Sequence, residues 1–224
     1  MTFATQAVAV ASKDLRTELR GRHAVGVILP FACTQLVAFG LSVGPDRGLM
    51  QQTAPALLWV AVFFASVLTF RGAYEAEGED GALEGLLLAP VDKAAVFLGK
   101  AAAVVVQLLV LEVAIVVLTG ALFGVGAIGD LPQQAATMTL GTIGLAAVGS
   151  LFGVLTEAAR AREAVFPLLV LPLTTPVLIA AIKATSLIQA GHAAGAGPWL
   201  GLLAAFDTVF LCAGMALFGV LLED

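Results

Sequence analysis

Val96–Gly124 reads VFLGKAAAVVVQLLVLEVAIVVLTGALFG, and its only charged residues are Lys100 and Glu112. About 20 apolar residues in helical form cross the hydrocarbon of a bilayer, and this run is long enough to extend past it on one side. A membrane β-barrel would need short segments of alternating polarity, and no such alternation occurs here.

The rest of the chain repeats the pattern. Five further apolar runs occupy Ala24–Gly44, Pro55–Phe70, Ala135–Thr156, Val165–Lys183 and Trp199–Leu222. Pro55–Phe70 is short and must borrow from its flanks. The chain has 224 residues, 60% of them hydrophobic and 12% charged. A soluble domain carries about a quarter charged residues and about half apolar ones, so the solvent here is largely lipid. The expected fold is an all-α integral membrane protein with six transmembrane helices.

Residues 1–23 do not read as a secretory signal, because their charges come late, at Lys13, Asp14, Arg16, Glu18, Arg20 and Arg22. Ala4, Val8, Ala11, Leu15 and Leu19 recur at helical spacing, with Lys13, Arg16, Thr17 and Arg20 opposite. That pattern predicts an amphipathic helix on the membrane surface, its basic side near anionic headgroups. The expected organisation is an interfacial helix over 1–23 and a six-helix domain over 24–224.

Lysine and arginine set the orientation. Lys13, Arg16, Arg20, Arg22, Arg71, Lys93, Lys100, Arg160 and Arg162 fall on one side, Arg47 and Lys183 on the other. Both termini are therefore expected in the cytoplasm. The outer connections are 45–54, 125–134 and 184–198.

Several activities find no support. No G-x-x-x-x-G-K-[ST] occurs. Cys33 and Cys212 are far apart, outside any C-x-x-C or C-x-x-C-H, and read as buried thiols acting as small hydrophobes. His23 and His192 stand alone, and a metal site wants clustered ligands. No catalytic residue, metal or nucleic-acid partner is expected.

Between the second and third runs, Phe70–Pro90 reads FRGAYEAEGEDGALEGLLLAP and carries Glu75, Glu77, Glu79, Asp80 and Glu84. Tyr74–Asp80, with Gly78 inside it, is a poor helix on its own. From Asp80 the pattern changes: Leu83, Leu86 and Leu87 share one face, Asp80 and Glu84 another. Asp80 suits a helix start and Pro90 follows its stop. The expectation is a two-turn helix within a cytoplasmic region, 72–95. Its leucines would enter a groove on a partner, and its carboxylates would pair with basic residues at the rim.

Inside the apolar runs, Glu112 lies about 18 Å along a helix from Lys100 at 1.5 Å per residue. If Lys100 marks the cytoplasmic surface, Glu112 lies past the midplane. Intramembrane carboxylates are costly and face the bundle interior. Two readings stay open: a polar contact that changes during transport, and a carboxyl that fixes helix packing. Asp207 is a second candidate. Pro167, Pro172 and Pro176 in the fifth run are helix-kink candidates. Glycines four apart, at Gly40/Gly44, Gly120/Gly124, Gly149/Gly153 and Gly197/Gly201, allow close helix packing within the chain or between copies.

Several pieces along the whole length carry a resemblance. They are K-D-L-R-x-E-L-R at Lys13–Arg20, L-S-V-G-P at Leu41–Pro45, A-P-x-L-L-W at Ala54–Trp59, D-G-A-L-E-x-L-L-L-x-P at Asp80–Pro90, F-L-G-K at Phe97–Lys100 and L-P-L-T-x-P at Leu171–Pro176. The chain resembles the membrane subunits of ABC-2-type transporters, and within them the haem exporter B family of cytochrome c maturation. The resemblance implies a non-catalytic permease subunit in a bacterial inner membrane, with ATP bound by a separate ABC ATPase subunit dimer. The implied partners are that ATPase, a haem-handling membrane subunit, a periplasmic haem chaperone, membrane lipid and a second copy of the chain. Haem is implied as a transported ligand at a subunit interface. The docking helix would be a coupling helix formed by Asp80, Gly81, Leu83, Glu84, Leu86, Leu87 and Pro90. The alternative function is that of a general ABC-2-type permease subunit for a lipid or drug.

Overall fold

A computed structural model describes residues 2–22, 24–80, 91–125, 130–157 and 162–221. The described residues are helical apart from short connections, and six of the helices are long and apolar enough to cross a membrane. The chain is an all-helical, multi-pass membrane protein.

Helix α1 spans Phe3–Gly21, and Arg22 ends it in the left-handed conformation. A π-helical turn, Ala24–Ile28, leads into α2, Leu29–Val43. The Glu18 carboxylate accepts from the Ala24 amide at 2.6 Å, satisfying a donor at this junction. Helix α3 covers Arg47–Asp80 and α4 covers Lys93–Phe123. Helix α5 is Leu131–Glu157, α6 is Arg162–Gln189, and a 3₁₀ turn at Ala193–Ala196 precedes α7, Gly197–Leu221.

Helix ends follow from local chemistry. Asp46 accepts from the amides of Gly48 and Leu49 at 2.9 and 3.1 Å and starts α3 ahead of the apolar run. The connection expected over 45–54 therefore shrinks, because Arg47–Ala54 is already helical. At the far end α3 continues through Tyr74–Asp80, the stretch expected to be a poor helix. A helix already nucleated by a full span propagates across one glycine at a cost of about 1 kcal/mol. Asp80 is thus the last described residue of α3, and the stretch that follows it lies outside the described residues. Asp92 caps α4 by accepting from the Ala94 amide at 2.9 Å. Helix α6 reaches Gln189, which shortens the connection expected over 184–198.

Helix α5 sits at the centre, touching α3, α4, α6 and α7. In its apolar stretch 67% of the residues are buried, against 17% in α2 and in α7. Aromatic rings lock it there. A Cβ on Gly141 of α5 would lie 2.3 Å from the Trp59 ring of α3, and one on Gly149 would lie 2.0 Å from the Phe70 ring. Gly214 of α7 receives Phe97 of α4 in the same way. Lipid tails are as apolar as leucine, so this close van der Waals fit holds the bundle. Trp59 also donates its indole N–H to Thr185 Oγ1 on α6, at 2.9 Å.

Gly99 is the seat of α1: a Cβ there would lie 2.6 Å from the Ala7 carbonyl oxygen and 2.7 Å from Val10 Cβ. Gln6 adds a hydrogen bond, accepting from the Asp92 amide at 3.2 Å. Helix α1 thus meets α4 through Ala7 and Val10, which lie beside the Ala4–Leu19 stripe. Val8 and Leu19 of that stripe are exposed.

Candidate functional site

The two intramembrane carboxyls are both buried, Glu112 at 3% exposure and Asp207 at 5%. Glu112 faces α5. Thr142 Oγ1 lies within hydrogen-bond reach of Glu112 Oε1 and, at 2.8 Å, of the Met138 carbonyl. The Thr142 hydroxyl has one proton and two acceptors around it. That proton is shared between the two or given to one of them. Among the described residues Glu112 Oε2 has no hydrogen-bond partner.

Asp207 approaches α5 from α7. A Cβ on Gly144 would lie 2.8 Å from Asp207 Oδ1 and 3.0 Å from a Val177 methyl on α6. The missing side chain at Gly144 makes the space for this carboxyl. Among the described residues neither Asp207 oxygen has a hydrogen-bond partner. Thr142 and Gly144 are two residues apart, so their side-chain directions differ by about 200° and their heights by about 3 Å. Glu112 and Asp207 therefore press on α5 at one depth from nearly opposite sides, with the helix between them.

The remaining candidates are placed as follows. Lys100 is buried, at 6% exposure, next to Gly99, the seat of α1. Gly81, Leu83, Glu84, Leu86, Leu87 and Pro90 lie outside the described residues, and Asp80 contributes only its backbone at the end of α3. Pro172 and Pro176 stand on an exposed side of α6, which runs unbroken through both; the Pro167 side chain is outside the described set. Cys212 is exposed and Cys33 half-buried, which corrects the expectation of two buried thiols; both are free. Among the described residues no group of three or more His, Cys, Asp or Glu could hold a metal.

Sequence reasoning missed Thr142, Gly144 and the Trp59–Thr185 bridge. A threonine in an apolar helix satisfies itself on a backbone carbonyl, as Thr69, Thr119 and Thr137 do here, so its type alone gives no signal of a second partner.

Relatives share this layout in sequence. "Heme exporter protein B" of Bradyrhizobium diazoefficiens is 29% identical over 211 residues, covering 92% of this chain and 92% of that protein. The proteins of that name from Paracoccus denitrificans and Escherichia coli K12 are each 33% identical. They match over 203 and 177 residues, or 87% and 75% of this chain and 87% and 78% of theirs. The family model described as "CcmB protein" matches residues 5–219, from the first turn of α1 to the last turns of α7, and so the chain belongs to the CcmB protein family.

Proposed function

We propose that the chain is the non-catalytic membrane subunit of an ABC transporter complex acting in haem delivery for cytochrome c maturation. The observation that carries this is the family match over 5–219, which spans α1 and all six membrane helices. ATP hydrolysis resides in a separate ATPase dimer. Its energy is coupled to haem translocation or to release of the haem-loaded periplasmic chaperone. A haem-handling membrane subunit completes the complex, and haem is cargo. The chain lies in a bacterial inner membrane with both termini in the cytoplasm, and α1 rests on the cytoplasmic surface.

The acidic stretch is the grip. Asp80, Gly81, Leu83, Glu84, Leu86, Leu87 and Pro90 dock on the ATPase, leucines in its groove and carboxylates at the rim. What supports this is the composition of the stretch and its position at the end of α3, which reaches well beyond the apolar span. Glu112 and Asp207 are polar contacts that flank the central helix and shift during the transport cycle. The Glu112→Gln variant should assemble yet load the haem chaperone poorly; wild-type loading would assign the carboxyl to packing alone.

A gentle-detergent pull-down of the chain, with partners identified and ATPase activity and haem recorded, tests the whole reading. An ATPase subunit and a haem-binding membrane subunit should co-purify. Replacing Leu83 and Leu87 together by Asp should release the ATPase alone. Recovery of an ATPase with no haem, stimulated by lipid or drug, would transfer the chain to general export.

A further inference from the structure

Helix α1 has three sides. At about 100° per residue, Ala7 and Val10 point one way, Val8, Leu15 and Leu19 a second, and Lys13, Arg16 and Arg20 a third, each roughly 120° from the next. The first side is the one seated on Gly99 of α4. On the second, Val8 and Leu19 are 67% and 77% exposed. On the third, Lys13, Arg16 and Arg20 are all exposed.

Charge is sorted between these sides. Asp14 and Glu18 are half-buried towards the Ala7 and Val10 side, and Glu18 is spent on the Ala24 amide at 2.6 Å. Asp14 pairs with Lys13 at 3.0 Å. Among the described residues Arg16 and Arg20 have no ion pair. They stand four residues apart, with Lys13 three residues before Arg16, and like charges at these helical spacings repel. The three cations line a groove of about 320 Å³ together with Ala9, Ser12 and Thr17. Its hydroxyl protons are already placed: Ser12 donates to the Ala9 carbonyl at 3.0 Å and Thr17 to the Lys13 carbonyl at 3.1 Å. Among the described residues no carboxylate lines the groove. An anion seated between the guanidinium groups would turn their repulsion into charge-assisted hydrogen bonds.

The second side says what carries that anion. Leu19 and Arg16 are only about 60° apart around the helix, so the apolar stripe borders the groove. A free phosphate in the groove would leave Val8 and Leu19 bare. An amphiphile covers both sides with one molecule, its phosphate in the groove and its chains along the stripe. The position of α1 agrees, because Gly99 lies near the Lys93 end of the apolar span Lys93–Phe123. We propose that this groove binds the phosphate of an anionic phospholipid, held by Arg16 and Arg20, with the acyl chains against Val8, Leu15 and Leu19. The proposal rests on the placement of α1 at the membrane surface and is independent of the cargo.

The test is native mass spectrometry of the purified complex in detergent, titrated with phosphatidylglycerol, with phosphatidylcholine of the same chains, and with glycerol 3-phosphate. Phosphatidylglycerol should bind about tenfold more tightly than phosphatidylcholine. Arg16→Gln with Arg20→Gln should abolish that preference, and Arg16→Lys with Arg20→Lys should keep most of it. Arg47→Gln with Lys183→Gln removes the same charge outside α1 and should leave the preference intact. Leu19→Gln should weaken phosphatidylglycerol binding several-fold, and equimolar glycerol 3-phosphate should not displace the lipid. The Arg16→Gln, Arg20→Gln protein should unfold no lower than wild type in neutral lipid, where it loses only repulsion. Equal binding of the two lipids by wild type would overturn the site, and so would an equal loss in the Arg47, Lys183 control. Displacement by glycerol 3-phosphate would make it a free-phosphate site. Loss of the ATPase subunit from the arginine variant with lipid binding unchanged would give the groove to an acidic protein surface. A lowered unfolding temperature would make the arginines structural. Each of these three results also overturns the proposal. The ATPase subunit in the wild-type spectra tests the transporter reading separately, and its absence would leave the lipid result standing.

Discussion

Replacing Gly141 by alanine should loosen the bundle at its centre. The new methyl group would lie 2.3 Å from Trp59 Cη2 and 2.6 Å from Cζ3. The ring has little room to retreat, because its N–H is held by Thr185 on the other helix at 2.9 Å. Overpacking a buried contact costs about 1–3 kcal/mol. Moving the ring also forfeits a hydrogen bond worth about 0.5–1.5 kcal/mol. The sum is roughly 2–4 kcal/mol, or a fall of roughly 4–16 °C in Tm for a chain of this length. Thermal unfolding of the purified chain in lipid nanodiscs, followed by near-ultraviolet circular dichroism, measures it. The informative control is the double variant Gly141→Ala with Trp59→Leu. Removing the ring removes the clash, so the double variant should be no less stable than Trp59→Leu alone, giving a coupling of about 0.5–3 kcal/mol. A Gly141→Ala protein within about 0.5 kcal/mol of wild type, or strictly additive losses in the double variant, would refute the packing argument.

Thr142→Val removes the Glu112 hydrogen-bond partner and keeps the shape. It should destabilise the chain by about 1–3 kcal/mol, the cost of a buried polar group left unpaired. Glu112→Gln, whose amide can still donate to Thr142, should unfold close to wild type in the same assay. Gly99→Val should lift α1 from α4, since even a Cβ there meets the Ala7 carbonyl at 2.6 Å. A cysteine placed at Ala7 should then react with a water-soluble maleimide several-fold faster, and an unaltered rate would show that α1 is held elsewhere. Asp46→Ala removes the oxygen that accepts from Gly48 and Leu49. It should cost about 0.5–2 kcal/mol and raise amide hydrogen exchange at the start of α3.

The six spans were legible because hydrophobic length needs no tertiary information. Their ends were less so. Gln51, Gln52 and Thr53 read as a polar connection, yet Gln51 donates to the Gly124 carbonyl at 2.9 Å and Thr53 bonds back to Leu49 at 2.8 Å, so this polarity is spent inside a helix. Glycine spacing was a partial guide to packing: Gly149 of the Gly149/Gly153 pair receives Phe70. Gly197 and Gly201 stand in open space, whereas Gly99 and Gly214, which belong to no such pair, receive another helix. What makes a socket is the group opposite, and local spacing does not record it. Glu112 and Asp207 stood out because a buried carboxyl is costly anywhere in an apolar run. That they share one helix, on opposite sides, depends on Thr142 and Gly144, which only the folded bundle brings to them.

The length of α3 has a mechanical consequence. From Arg47 to Asp80 it is one helix of 34 residues, about 51 Å at 1.5 Å per residue, against about 30 Å of hydrocarbon. Two rings pin it to the central helix: Phe70, seated on Gly149, and Trp59, wedged into Gly141 and tethered to Thr185. They lie about 15 Å and about 32 Å from Asp80 along the rod. At its opposite end the rod carries Pro55 and begins at Arg47. Gln51, near that far end, is tied to the last residue of the α4 cap at Gly124. Load applied at the acidic end is thus delivered to the central helix at these two sockets.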